Sequence, residues 1–224
     1  FCCAAAIAWA LPSRSSSAAE CMQQGTLWQL ENEQVKVEVY PALGARVCDF
    51  VDKQFPDSLV RKPAEQGLFI DHSADDPWPG NLMNAPYDCK PLPAQNGEAA
   101  LECSVTFHDA KHPQSDGVVL HKTYRLRDGE KGLRVSYEIE NPTAAAKVFA
   151  LWVQNVLWLG KNPKSNLVIR PYATGVERFE MANQRFGMGW RAWPDMTDPW
   201  TGVMDPSTGQ GAFFTPDRNV LKAH

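Results

Sequence analysis

The sequence predicts an all-β fold, an antiparallel β-sandwich, on three observations. Apolar and polar residues alternate with the strand period of two in stretch after stretch. Turn dipeptides separate these stretches at short intervals. No helical pattern of about 10–15 residues intervenes, which argues against a parallel α/β sheet. The chain has 224 residues, with eight Trp and 17 Pro, an aromatic-rich and turn-rich composition that fits the same class. One large β domain is expected over residues 21–224.

The elements follow in order. Residues 1–20 begin with the apolar run Phe1 to Leu11, then Pro12 and a small-residue stretch. They are expected to be a partial signal peptide, with Ser17 and Ala19 suiting the cleavage site. Val35, Val37 and Val39 alternate with Lys36, Glu38 and Tyr40 as a strand. Residues 63–95 break the pattern with Asp71, His72, Asp75, Asp76, Trp78 and several Pro, and are expected to be one ordered loop. Asn96-Gly97 then turns the chain into a strand carrying Leu101, Cys103, Val105 and Phe107. Asp116-Gly117 opens the next strand, where Leu120, Tyr124 and Leu126 share one face and His121, Thr123 and Arg125 the other. Residues 128–132 close a hairpin onto Leu133, Val135, Tyr137 and Ile139, and Asn141-Pro142 ends it. The strand 148–158 has a core face with Phe149, Leu151, Val153 and Leu157; its other face bears Trp152, Gln154 and Trp158. Residues 181–206 are expected to be a second ordered loop, rich in Trp, Arg and Asp. The chain stops at His224 inside what reads as another strand, so a truncated C-terminus is expected.

Charge and spacing exclude several functions. The net charge of −4 comes without a basic run, so nucleic acid is not an expected partner. No stretch of about 18 apolar residues is present, so no membrane span is expected. Phosphate-binding, dinucleotide, G-x-S-x-G and H-E-x-x-H motifs are missing, and no cofactor is implied. The acidic residues around His72 lack the spacing of a calcium loop, and no metal is expected. Cys21, Cys48, Cys89 and Cys103 allow up to two disulfides in an exported chain.

The candidate site residues are those that suit a sugar. Two indoles flanking an amide, Trp152, Gln154 and Trp158, offer a stacking surface with donors and acceptors for hydroxyls. His121 and Arg125 occupy a polar strand face, read as a solvated groove. His72, beside Asp71, is a candidate acid/base group with the carboxylate orienting its imidazole. Trp78, Arg185 and Trp190 are expected at the rim.

Three segments carry a family resemblance. Asn32 to Val47, with its strand, Pro41, Gly44 and second strand, is similar to the first hairpin of galactose mutarotase-like proteins. His121-Lys-Thr-Tyr-Arg125-Leu resembles the strand before their central hairpin. Tyr137 to Thr143 followed by Val148 to Val153 resembles their Asn-Thr turn and central strand. The resemblance covers about residues 28–220 and implies a β-supersandwich holding carbohydrate on a concave sheet face. The catalytic histidine of the family's epimerases falls at about Trp152, and their glutamate base beyond His224. An indole cannot exchange a proton with a ring oxygen, so no catalytic residue is assigned. The expected function is secreted or periplasmic saccharide binding. The alternatives are a carbohydrate-processing enzyme using His72 or His121, and a protein-interaction sandwich with the Trp-rich loops as its contact.

Overall fold

Strand-forming alternation produces four antiparallel sheets in a computed structural model that describes residues 18–55, 57–60, 66–73, 82–109, 112–181 and 197–217. The first sheet is a meander of β1 (Glu20–Gln24), β2 (Leu27–Glu31), β3 (Val35–Tyr40) and β4 (Arg46–Asp52). A short pair follows from β5 (Ile70–Ser73), which later meets β10 (Leu151–Gln154). The second meander is β6 (Asp88–Gln95), β7 (Glu98–Thr106), β8 (Val119–Arg127) and β9 (Leu133–Glu140). A last sheet, in the order β12-β11-β13-β14, uses β11 (Leu167–Tyr172), β12 (Gly175–Glu180), β13 (Thr201–Met204) and β14 (Gly211–Phe214). Among the described residues there is no α-helix, only two three-residue 3-10 turns.

The two meanders meet across one apolar core. Leu30, Val35, Val37, Val39 and Val47 from the first face Leu101, Cys103, Leu120, Tyr124 and Leu126 from the second, all fully buried. Most of their alternate neighbours on β2, β3, β7 and β8 are partly exposed, which is why the sequence pattern is clear there, whereas Arg46 and Cys48 beside Val47 are buried. Asn96 and Gly97 both take positive φ (53° and 70°), the backbone a two-residue hairpin turn needs between β6 and β7. The sheet begins at Glu20, inside the stretch read as leader, and Ala19 is already packed in the core.

Two expected loops hold strands. Residues 63–95 contain β5, a 3-10 turn at Leu82–Asn84 and β6. β5 is buried on both faces, so its alternation vanishes from the sequence. β6 carries Pro91 and Pro93, which are tolerated because it is an edge strand. Residues 181–206 contain β13. Conversely, the expected strand 148–158 is regular only over Leu151–Gln154, with Phe149, Leu151 and Leu157 packed against the core as its core face. Of the four candidate cysteines, Cys89 and Cys103 form a disulfide across β6 and β7, at directly opposed positions; Cys21 and Cys48 are not disulfide-bonded.

Candidate functional site

The site grows from how β5 is attached. Val47 and Leu68 exchange both backbone hydrogen bonds at 3.0 Å, which lays the chain beside β4. Leu68 and Phe69 both pack against the core, because Phe69 takes the left-handed conformation (φ 57°). That irregularity resets the alternation. Asp71 then turns toward the core, and its neighbours Ile70 and His72 turn away from it. β10 pairs with β5 so that Trp152 lies opposite His72 and Gln154 opposite Ile70.

On the outward side, His72 Nε2 lies 3.0 Å from Gln154 Oε1. An amide oxygen only accepts, so this ring nitrogen carries the proton and the Gln154 amide nitrogen keeps its donors for another partner. The imidazole and the Trp152 indole have centroids 5.8 Å apart at 44°. His72 is buried, whereas Trp152 and Gln154 are half-buried, so part of each of these two residues is open to solvent.

On the inward side, Asp71 and Lys122 form an ion pair of 2.9 Å with both side chains fully buried. The Tyr87 hydroxyl donates to Asp71 Oδ2 (2.9 Å) and the Tyr137 hydroxyl to Asp71 Oδ1 (2.8 Å). Lys122 Nζ also donates to the Phe69 carbonyl (2.5 Å) and the Gly44 carbonyl (3.2 Å). The ammonium lies 5.5–5.8 Å from the ring centres of Tyr87, Tyr124 and Tyr137, within cation–π range. Burial lowers the pKa of Lys122, and Asp71 opposes that shift. Burial, reinforced by the Asp71 charge, raises the pKa of all three tyrosines, so their hydroxyls stay protonated donors. Buried Arg46 closes the neighbouring turn, with Nε donating to the Leu43 carbonyl (2.8 Å) and a terminal nitrogen to the Met83 carbonyl.

The candidate residues therefore divide. His72, Trp152 and Gln154, up to 82 positions apart, come together. Asp71 does not orient His72 as expected, since adjacent strand residues point to opposite faces. His121 and Arg125 lie on the outer face of the second meander, across the sandwich from the His72 face. There His121 Nε2 is 3.2 Å from Glu140, and Arg125 meets Ser136 (3.0 Å) and Glu98 (3.4 Å). This is a solvated charged face, so the expected groove uniting His121 and Arg125 with Trp152 is not formed. Trp158 follows beyond the end of β10, half-buried, its backbone N–H bonded to the Leu59 carbonyl (2.8 Å). Trp78, Arg185 and Trp190 lie outside the described residues. Sequence reasoning missed Lys122, Tyr87 and Tyr137. The available signal was a lysine between Leu120 and Tyr124 on the core face of β8.

Among the described residues no three His, Cys, Asp or Glu side chains are grouped to hold a metal, and no helix is long and apolar enough to cross a membrane. No family model matches the chain, and no curated protein does. Among solved structures it is similar to a TPR-domain containing protein from Parabacteroides distasonis ATCC 8503, at a TM-score of 0.61 and 16% identity. That match covers 85% of this chain and 36% of the other, so this chain spans about a third of that protein's length. The likeness is one of fold alone. A TPR unit is a pair of helices, and the described residues here hold no α-helix, so the TPR name carries nothing over to this chain.

Proposed function

We propose that this chain is a saccharide-binding β-sandwich of galactose mutarotase-like fold, with its ligand on the outward face of β5 and β10. The observation that carries the reading is the half-buried Trp152 indole beside the bonded His72–Gln154 pair. A pyranose stacks its apolar face on the indole while the Gln154 amide donates to its hydroxyls. The Cys89–Cys103 bridge supports an oxidising compartment, secreted or periplasmic. Intrinsic Trp fluorescence titrated with mono- and oligosaccharides tests the proposal. A saturable change that Trp152→Ala abolishes is expected; no response to any sugar overturns it.

One observation favours a second reading, sugar epimerisation. The resemblance sets the family's catalytic histidine at about Trp152, and His72 is its direct cross-strand partner. An imidazole one strand away supplies the proton that the indole cannot. Polarimetry on freshly dissolved aldoses distinguishes the two readings. Mutarotation above the buffer rate that His72→Gln removes selects the enzyme; the buffer rate alone selects the binder.

A further inference from the structure

We infer that Lys122, with Tyr87 and Tyr137, is a register lock that presents His72 rather than Asp71 to the Trp152–Gln154 face. The inference rests on the proposed site, but its geometry stands on its own.

β5 lacks a long hydrogen-bonded ladder. It is four residues long and its ladder partner, β10, is equally short. Few backbone hydrogen bonds therefore oppose a slip, and a slip of one residue exchanges the faces of every side chain. In β5 it would drive Asp71 out beside Trp152 and bury His72 against the core. An apolar sequence would not discriminate strongly between these two states, because both faces of β5 are buried. The Lys122 ammonium discriminates at two points at once. It binds the Asp71 carboxylate and, two residues earlier, the Phe69 carbonyl. Tyr87 and Tyr137 fill further acceptor positions of Asp71 from two other parts of the chain. On the opposite side, the Phe69 N–H donates to Asn155 Oδ1 (2.8 Å), so the residue with positive φ is held at both ends. In the slipped state the ammonium would face His72 and lose its counter-charge.

A buried ion pair is a weak source of net stability, because apolar side chains of similar size often serve as well. Its use here is to choose between two packings of the same strand. Lys122, Tyr87 and Tyr137 are accordingly positioning residues.

The test replaces the whole network with apolar groups, combining Asp71→Leu, Lys122→Met, Tyr87→Phe and Tyr137→Phe. The expected protein folds cooperatively but shows two sets of His72 imidazole resonances. Its nuclear Overhauser contacts between His72 and the Trp152 indole fall to about half, as two registers of similar energy require. A folded variant with one His72 signal and undiminished Trp152 contacts overturns the inference. If this variant does not fold, Tyr137→Phe decides by hydrogen exchange. Amides of β5 are then expected to exchange about tenfold faster while those of β7 and β8 keep their rates. Uniform acceleration, or none, overturns the inference. Neither readout needs a sugar, so failure of the binding proposal is seen separately, as wild-type protein that responds to no saccharide.

Discussion

His72 and His121 each sit on a strand, next to a residue that faces the core, yet their surroundings differ completely. His121 has about a quarter of its side chain exposed and pairs with Glu140 on a face crossed by Arg125, Arg134 and Glu98. His72 is 1% exposed, against an indole and an amide. The difference comes from what lies behind each strand. β8 is central in a regular meander, so its outer face is free to be wet and charged. β5 is a short insert held from beneath by a buried ion pair and from the side by β10. A histidine's chemistry is thus set by neighbours far away in sequence, and residue type on a strand face says little about it.

Four experiments sharpen that contrast, from the largest effect to the smallest. Lys122→Met strands Asp71 beneath His72 and is expected to cost about 3–5 kcal/mol in urea unfolding. Second, the pair Cys89→Ala and Cys103→Ala opens a closed loop of 14 residues' separation. A loss of about 3 kcal/mol is expected, measured without reductant; an unchanged midpoint would show that the bridge constrains little. Third, under the binding proposal His72→Ala weakens saccharide affinity about tenfold, or about 1.4 kcal/mol, while His121→Ala leaves it unchanged. Equal losses in a fluorescence titration would erase the distinction between the two faces. Smallest is Arg125→Met, whose exposed pairs with Ser136 and Glu98 predict at most about 1 kcal/mol. A loss matching that of Lys122→Met would mean the outer face is no mere solvated surface.

Legibility in the sequence followed burial. The strands β3, β7 and β8 were readable because each has a drier and a wetter face, β9 because half-buried residues alternate with exposed ones as far as Glu138, and the Asn96-Gly97 turn because its φ values demand those residues. β5 was not, since Ile70-Asp71-His72-Ser73 is buried throughout and shows no period. For the site, Trp152 and Gln154 were visible as an aromatic-amide pattern, and His72 as a separate hint. Their meeting depends on a cross-strand register, and the rejection of Asp71 from that group depends on the backbone of Phe69. Neither is written in local residue order. Lys122 went unread, because an apolar face interrupted by one lysine still reads as a core face.

The stapled edge strand has a consequence for how this molecule meets others. An open sheet edge invites another chain to add a strand to it. Along β6, Pro91 and Pro93 have no N–H to offer an incoming strand, Lys90 brings a charge, and the Cys89–Cys103 bridge ties the strand to β7. This flank of the second meander is guarded against self-assembly into fibrils, and any partner extending that sheet has to approach from the β9 side.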